Sequence, residues 1–164
     1  MLRLILVVCA SYAISLLSLW ASEGGLSELF NDINLVMYPL GALFGALSLA
    51  FFNYLEGVIK DVPKKMRLDK PESYRLVILT LTSLKREVVV NVVVVVVLIL
   101  ISFFLGPMSA LLSLPRWDLG PIALWSGLAV KGACLISTVV IVFNQLSGFV
   151  IANDLRAEIA LHSE

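Results

Sequence analysis

The sequence predicts an all-α integral membrane protein: one domain, residues 1–164, with four transmembrane helices. Three observations predict it. The 164 residues are 60 % hydrophobic and 15 % charged, with a mean hydropathy of +0.99, whereas soluble domains are about 45–50 % apolar. The apolar residues fall in four long stretches with short polar connections between them. The basic residues are concentrated in one of those connections, residues 60–87.

The first stretch covers residues 2–20, MLRLILVVCASYAISLLSLW without its first residue. It begins like a secretory leader, with Arg3 before an apolar run. That run continues to Trp20, beyond the about 7–15 residues of a signal core. A retained helix is expected. The second stretch covers residues 33–59, with Pro39 near its start. The third, residues 88–105, is the least ambiguous. Nine of the ten positions from Val88 to Val97 are valine, which in water would favour a strand. A strand runs to about 5–6 residues. As a helix, residues 88–105 rise about 27 Å, close to the roughly 30 Å of a hydrocarbon core. In lipid the need to pair every backbone amide outweighs valine's small helix penalty. The fourth stretch, residues 122–152, is long enough to tilt or to project.

Orientation follows from charge. Residues 60–87 hold Lys60, Lys64, Lys65, Arg67, Lys70, Arg75, Lys85 and Arg86 against Asp61, Asp69, Glu72 and Glu87. Residues 22–32 hold acids only, and residues 106–121 have Arg116 and Asp118. The positive-inside rule then places the 60–87 hairpin and both termini in the cytoplasm of a bacterial inner membrane. Trp20, Trp117 and Trp125 fall at the opposite interface, where indole rings favour the headgroups. Within the hairpin, Pro63 is a helix stop and Pro71 a helix start. Tyr74, Val77, Ile78, Leu81 and Leu84 then share one helical face. That helix either runs on into the valines or lies in the interface.

The polar residues inside the apolar stretches are the candidate functional positions. Lys131 sits ten residues beyond Pro121, about 15 Å deep. A lysine there costs at least about 2.5 kcal/mol on insertion scales. It must face protein or water, and either serves an anion, a pore or a partner, or snorkels along its stem. No acid lies at a matching depth, since Glu56 is near one end of its stretch. Asn53, Asn91, Asn144 and Gln145 form a second group, expected in the cytoplasmic half of the membrane. Amides there bond across helices or line a polar path.

Small residues mark helix contacts. Gly41 and Gly45 form G-x-x-x-G, echoed by Ala42, Ala46 and Ala50. Ser11 and Ser15 start a small polar stripe on the first helix, and Ala129 and Ala133 one on the fourth, with Gly132 beside Lys131. Such motifs serve packing within a bundle or between copies equally well. The basic cluster Lys60, Lys64, Lys65, Arg67 and Lys70 suits anionic lipid or an acidic cytosolic protein. Nucleic acid is not supported: net charge is zero and the segment has few aromatics.

Several classes are disfavoured. The two cysteines, Cys9 and Cys134, are isolated within apolar stretches, and the single histidine, His162, stands near the end of the sequence. No disulfide, metal site or cofactor is expected. Enzymatic motifs are absent from the sequence. A proton-coupled transporter would need a carboxylate near the midplane. The expectation is a non-enzymatic subunit that forms a homo-oligomer and couples membrane lipids to a soluble cytosolic partner, as a sensor, anchor or immunity component. The alternatives are a holin-like pore-former and a small transporter.

Overall fold

The structure is a computed structural model that describes residues 2–63, 70–112 and 121–161. It is helical, with no strand among the described residues: α1 is Leu2–Ala21, α2 Ser27–Asn31, α3 Ile33–Asp61, α4 Pro71–Leu112 and α5 Pro121–Leu161. Four of these helices, all except α2, are long and apolar enough to cross a membrane. The chain is a multi-pass membrane protein by that measure.

Helix ends follow the sequence where a backbone rule applies. α3 stops at Asp61, two residues before Pro63, and α4 starts on Pro71, which suits a first turn because that N–H has no helical partner anyway. α1 ends through a left-handed pair, Glu23 at φ 49° and Gly24 at φ 83°. The Gly24 N–H donates to the Leu19 carbonyl at 3.0 Å, closing the helix as a Schellman turn does. Three features differ from the sequence reading, the first being α5, which continues beyond residue 152 to Leu161. α4 takes the first of the two courses the sequence left open, running unbroken from Pro71 into the valines, but it continues past residue 105 and Gly106-Pro107 to Leu112. Membrane helices tolerate an internal proline when neighbours satisfy the freed carbonyl, and Pro39 is likewise inside α3. The acidic 22–32 connection also contains a helix, the single turn α2.

The chain divides into two compact units. Unit one is Met1–Ala42 with Val94–Ile141, and unit two is Leu43–Val93 with Val142–Glu164. Unit one buries Leu19, Phe30, Met37, Val95, Leu98 and Ala133. Its α1 contact is made by Ser11, Ser15 and Leu19 at four-residue spacing, mostly small side chains, which lets backbones approach. Unit two has a core of Phe51, Leu55, Val58, Val77, Leu81, Val88, Ala152 and Ile159. Its α4 members continue the face that begins at Tyr74, and Tyr74 itself packs on that core. Val89, Val93, Val96 and Val97 are exposed, the arrangement expected where lipid is the solvent.

Candidate functional site

Unit one's distinctive residue is Lys131. It is 4 % exposed, and from Ala129 to Cys134 α5 is buried or nearly so on every side. Ala129, Ala133 and Cys134 cover part of that turn. On the Gly132 side, a methyl group at 132 would overlap the Phe30 ring of α2 and lie 2.8 Å from Ser15 Oγ of α1. Glycine is required there because two other helices occupy the space a side chain would take. Among the described residues Lys131 has neither an acidic partner nor a hydrogen bond. The buried hydroxyls Ser15 Oγ and Ser137 Oγ are unpartnered as well. Thr138 instead turns back to the Cys134 carbonyl at 2.8 Å. Among the described residues of this unit, side chains bond across helices at two places: Ser102 Oγ donates to Asn34 Oδ1 at 2.8 Å, and Tyr12 and Ser126 share a hydrogen bond at 3.4 Å.

Unit two contains a small, half-open cavity with a mostly apolar wall, to which Phe51, Leu84, Val88 and Gly148 contribute. Asn91, Asn144 and Gln145 line it together with Glu87. Three of the four amides singled out in the sequence therefore meet at one place. Asn53, the fourth, is exposed. It lies on an α3 face with Ala46, Ala50 and Gly57, all exposed too. Gln145 is 3 % exposed; its Nε2 donates to Ser48 Oγ at 2.9 Å, while Oε1 has no partner. Glu87 has no ion pair among the described residues. By sequence Glu87 is one of the acids of the basic 60–87 hairpin, and only the register between α4 and α5 reveals it as a cavity wall.

Around the cavity, unit two is densely paired. Phe149 meets Phe51 and Tyr54 at ring centroids of 5.6 and 5.3 Å. Tyr54 OH donates to Asn153 Oδ1 at 3.1 Å, and the Arg156 guanidinium lies 5.5 Å from the Tyr54 ring centre. Glu56 accepts Lys60 at 3.3 Å and Lys85 at 3.7 Å, and Lys85 also lies over Phe52 at 4.4 Å.

The remaining candidate positions separate. Gly41 packs within the chain, since a methyl there would overlap Ile99 of α4. Gly45 is exposed with nothing within 4 Å. So the two glycines of the G-x-x-x-G do different things. Of the basic cluster, Lys60 is exposed and paired with Glu56, and the Lys70 carbonyl accepts the Tyr74 N–H at 3.1 Å. Lys64, Lys65 and Arg67 lie outside the described residues. Compared with protein families, curated proteins and solved structures, the chain finds no match in any of the three.

Proposed function

We propose that this chain is a non-enzymatic, self-associating subunit of a bacterial inner membrane that couples the bilayer to a soluble cytosolic protein, in a sensor, anchor or immunity role. The observation that carries this reading is the packed helical end of unit two. α4 has 42 residues and α5 has 41, so each rises about 60 Å, roughly twice a hydrocarbon core. Their surplus length is built into a core. Val77 and Leu81 of α4 bury with Ala152 and Ile159 of α5, and Tyr74 and Leu155 pack on them. A tether would need no such core. Lys60, Lys70, Arg75, Lys85 and Arg86 are at this end, and the 60–87 segment holds eight basic residues in all, so the positive-inside rule favours the cytoplasm for it. Leu76 and Leu79 are exposed on it, at 67 % and 57 %, which supplies apolar contact for a partner.

The exposed Asn53, within the Ala46–Ala50–Gly57 stripe of α3, supports contact with a second copy, because an amide facing lipid gains by bonding across an interface. The burial of Lys131 within one chain weighs against a pore lined by that charge.

A photo-crosslinking residue at Leu76 or Leu79, expressed in the native cell, should give one discrete adduct with a soluble protein. The same residue at Leu43 or Leu49, exposed within the α3 span, should give only lipid or dimer adducts. Absence of any soluble adduct at 76 and 79, with ion leakage from proteoliposomes, would replace this reading with the holin-like pore.

A further inference from the structure

We propose, resting on the coupling role, that the outward face of α4 between Arg75 and Arg86 receives an acidic, amphipathic helix of the soluble partner. Arg75, Leu79, Thr82 and Arg86 are all exposed. They follow one another at spacings of 4, 3 and 4 residues, which puts them within about 60° of each other around the helix. That seam is opposite the face that Val77, Leu81 and Val88 bury in the core of unit two. Leu76 and Ser83, also exposed, flank it on one side. From Arg75 to Arg86 the seam rises about 16 Å. Neither arginine has an ion pair or a hydrogen bond among the described residues. The acids nearby on α4 lie elsewhere. Glu72 is in the first turn, where a carboxylate complements the helix dipole. Glu87 is about 100° round from Arg86, in the wall of the cavity. The seam itself holds two cations and no acid.

Charge and reach select the occupant. Arg86 borders the valine span, within reach of lipid headgroups, but Arg75 is about 16 Å farther out. Leu76 and Leu79, at 67 % and 57 % exposure, lie beyond the hydrocarbon and gain nothing from a hydrated headgroup layer. A second copy in the same membrane runs parallel to the first. A two-fold axis along this seam would set each arginine against its own equivalent, and like charges repel. A foreign helix has neither defect. Apolar residues at the same 3–4 spacing cover Leu79 and the Leu76 edge. Aspartate or glutamate about three turns apart meets both guanidiniums, which take carboxylates through paired N–H bonds. The 60–87 segment as a whole has eight basic residues against four acids, an excess that steers an acidic helix toward it.

The test uses the full chain in nanodiscs of zwitterionic lipid and two synthetic amphipathic helical peptides. Both carry leucines at 3–4 spacing, flanked by glutamates in one and by lysines in the other. The glutamate peptide should bind the parent protein and not empty nanodiscs, and the lysine peptide should bind neither. Arg75→Glu with Arg86→Glu turns two exposed attractions into repulsions. It should weaken the glutamate peptide roughly tenfold and admit the lysine peptide. Both side chains are exposed and unpaired, so the melting temperature should not move; if it falls, Arg75→Glu alone, farther from the span, gives the reading. In the native cell, the soluble adduct of a photo-crosslinking residue at Leu79 should vanish in the double glutamate variant and persist in Arg75→Lys with Arg86→Lys. An adduct that survives the charge reversal would overturn the acidic helix and leave the coupling role standing. No soluble adduct in the parent would remove the coupling role and this site with it. Lipid adducts alone at Leu79 would give the seam to the membrane surface. Equal binding of the two peptides by the parent would overturn the proposal as well.

Discussion

The two units solve the same problem, burying polar atoms between apolar helices, in opposite ways. Unit one does it by steric closeness. Ser11, Ser15, Ala129, Gly132 and Ala133 bring backbones together, its hydroxyls mostly bond their own helix or nothing, and it encloses the Lys131 charge without a counter-charge among the described residues. Unit two does it by pairing. Gln145 is tied to Ser48, Tyr54 to Asn153, and Glu56 to two lysines, with aromatic rings between them. A unit that relies on fit should be damaged by added volume and indifferent to lost charge. A unit that relies on many shared polar contacts should tolerate the loss of any one.

The largest expected effect compares one substitution at two places on α5. Gly132→Ala should be strongly destabilising, because its methyl overlaps Phe30 and crowds Ser15; overpacking of this kind costs about 1–3 kcal/mol. Gly148→Ala meets only ordinary contacts in unit two. It should be neutral or stabilising by up to about 1 kcal/mol from helix propensity. Unfolding in nanodiscs reads both. Phe30→Leu should partly rescue Gly132→Ala, and failure to rescue would mean that α2 does not set the close fit.

Lys131 sharpens the contrast next. Lys131→Met keeps the stem and removes an ammonium whose insertion costs at least about 2.5 kcal/mol on translocon scales. The variant should insert, assemble and melt higher, at roughly 2–4 °C per kcal/mol recovered. If it melts lower, Lys131 has a partner in the assembled protein and unit one is paired after all. If it melts higher yet loses activity, the charge is kept for function at the expense of stability.

The fold was legible in the sequence to the extent that it depends on run length and on proline. The four long helices follow from apolar runs that nothing but a helix can bury in lipid, and Pro63 and Pro71 mark the ends of α3 and α4. α2 was not legible, because five residues, Ser27–Asn31, are too few for a period to register. Its Phe30 nonetheless decides the fit at Gly132. For the polar groups, depth could be read but facing could not. Asn53 and Asn91 have similar depth by sequence, yet one is exposed and the other lines the cavity. Gly41 and Gly45 are one helical turn apart, yet only Gly41 has a neighbour, Ile99. Those distinctions depend on how one helix is rotated against another, a property of pairs of helices that no single segment encodes.

The smallest expected effect is Glu56→Gln. Glu56 holds Lys60 at 3.3 Å along its own helix and Lys85 at 3.7 Å across to α4, so it looks like the pin of unit two. Its side chain is 42 % exposed, and Lys60 is 72 % exposed. Ions in contact with water lose most of their attraction to screening and to the entropy of holding two long side chains. Lys85 would keep its place over Phe52, since the cation–π contact does not require the carboxylate. The Phe51, Tyr54 and Phe149 cluster would remain. The melting temperature in nanodiscs should therefore stay within error of the parent protein at both low and high salt. A clear drop at low salt that vanishes at high salt would show that the Glu56 pairs, and not the aromatic packing, hold this end of α3 to α4. Unit two would then depend on a single contact, as unit one depends on Gly132.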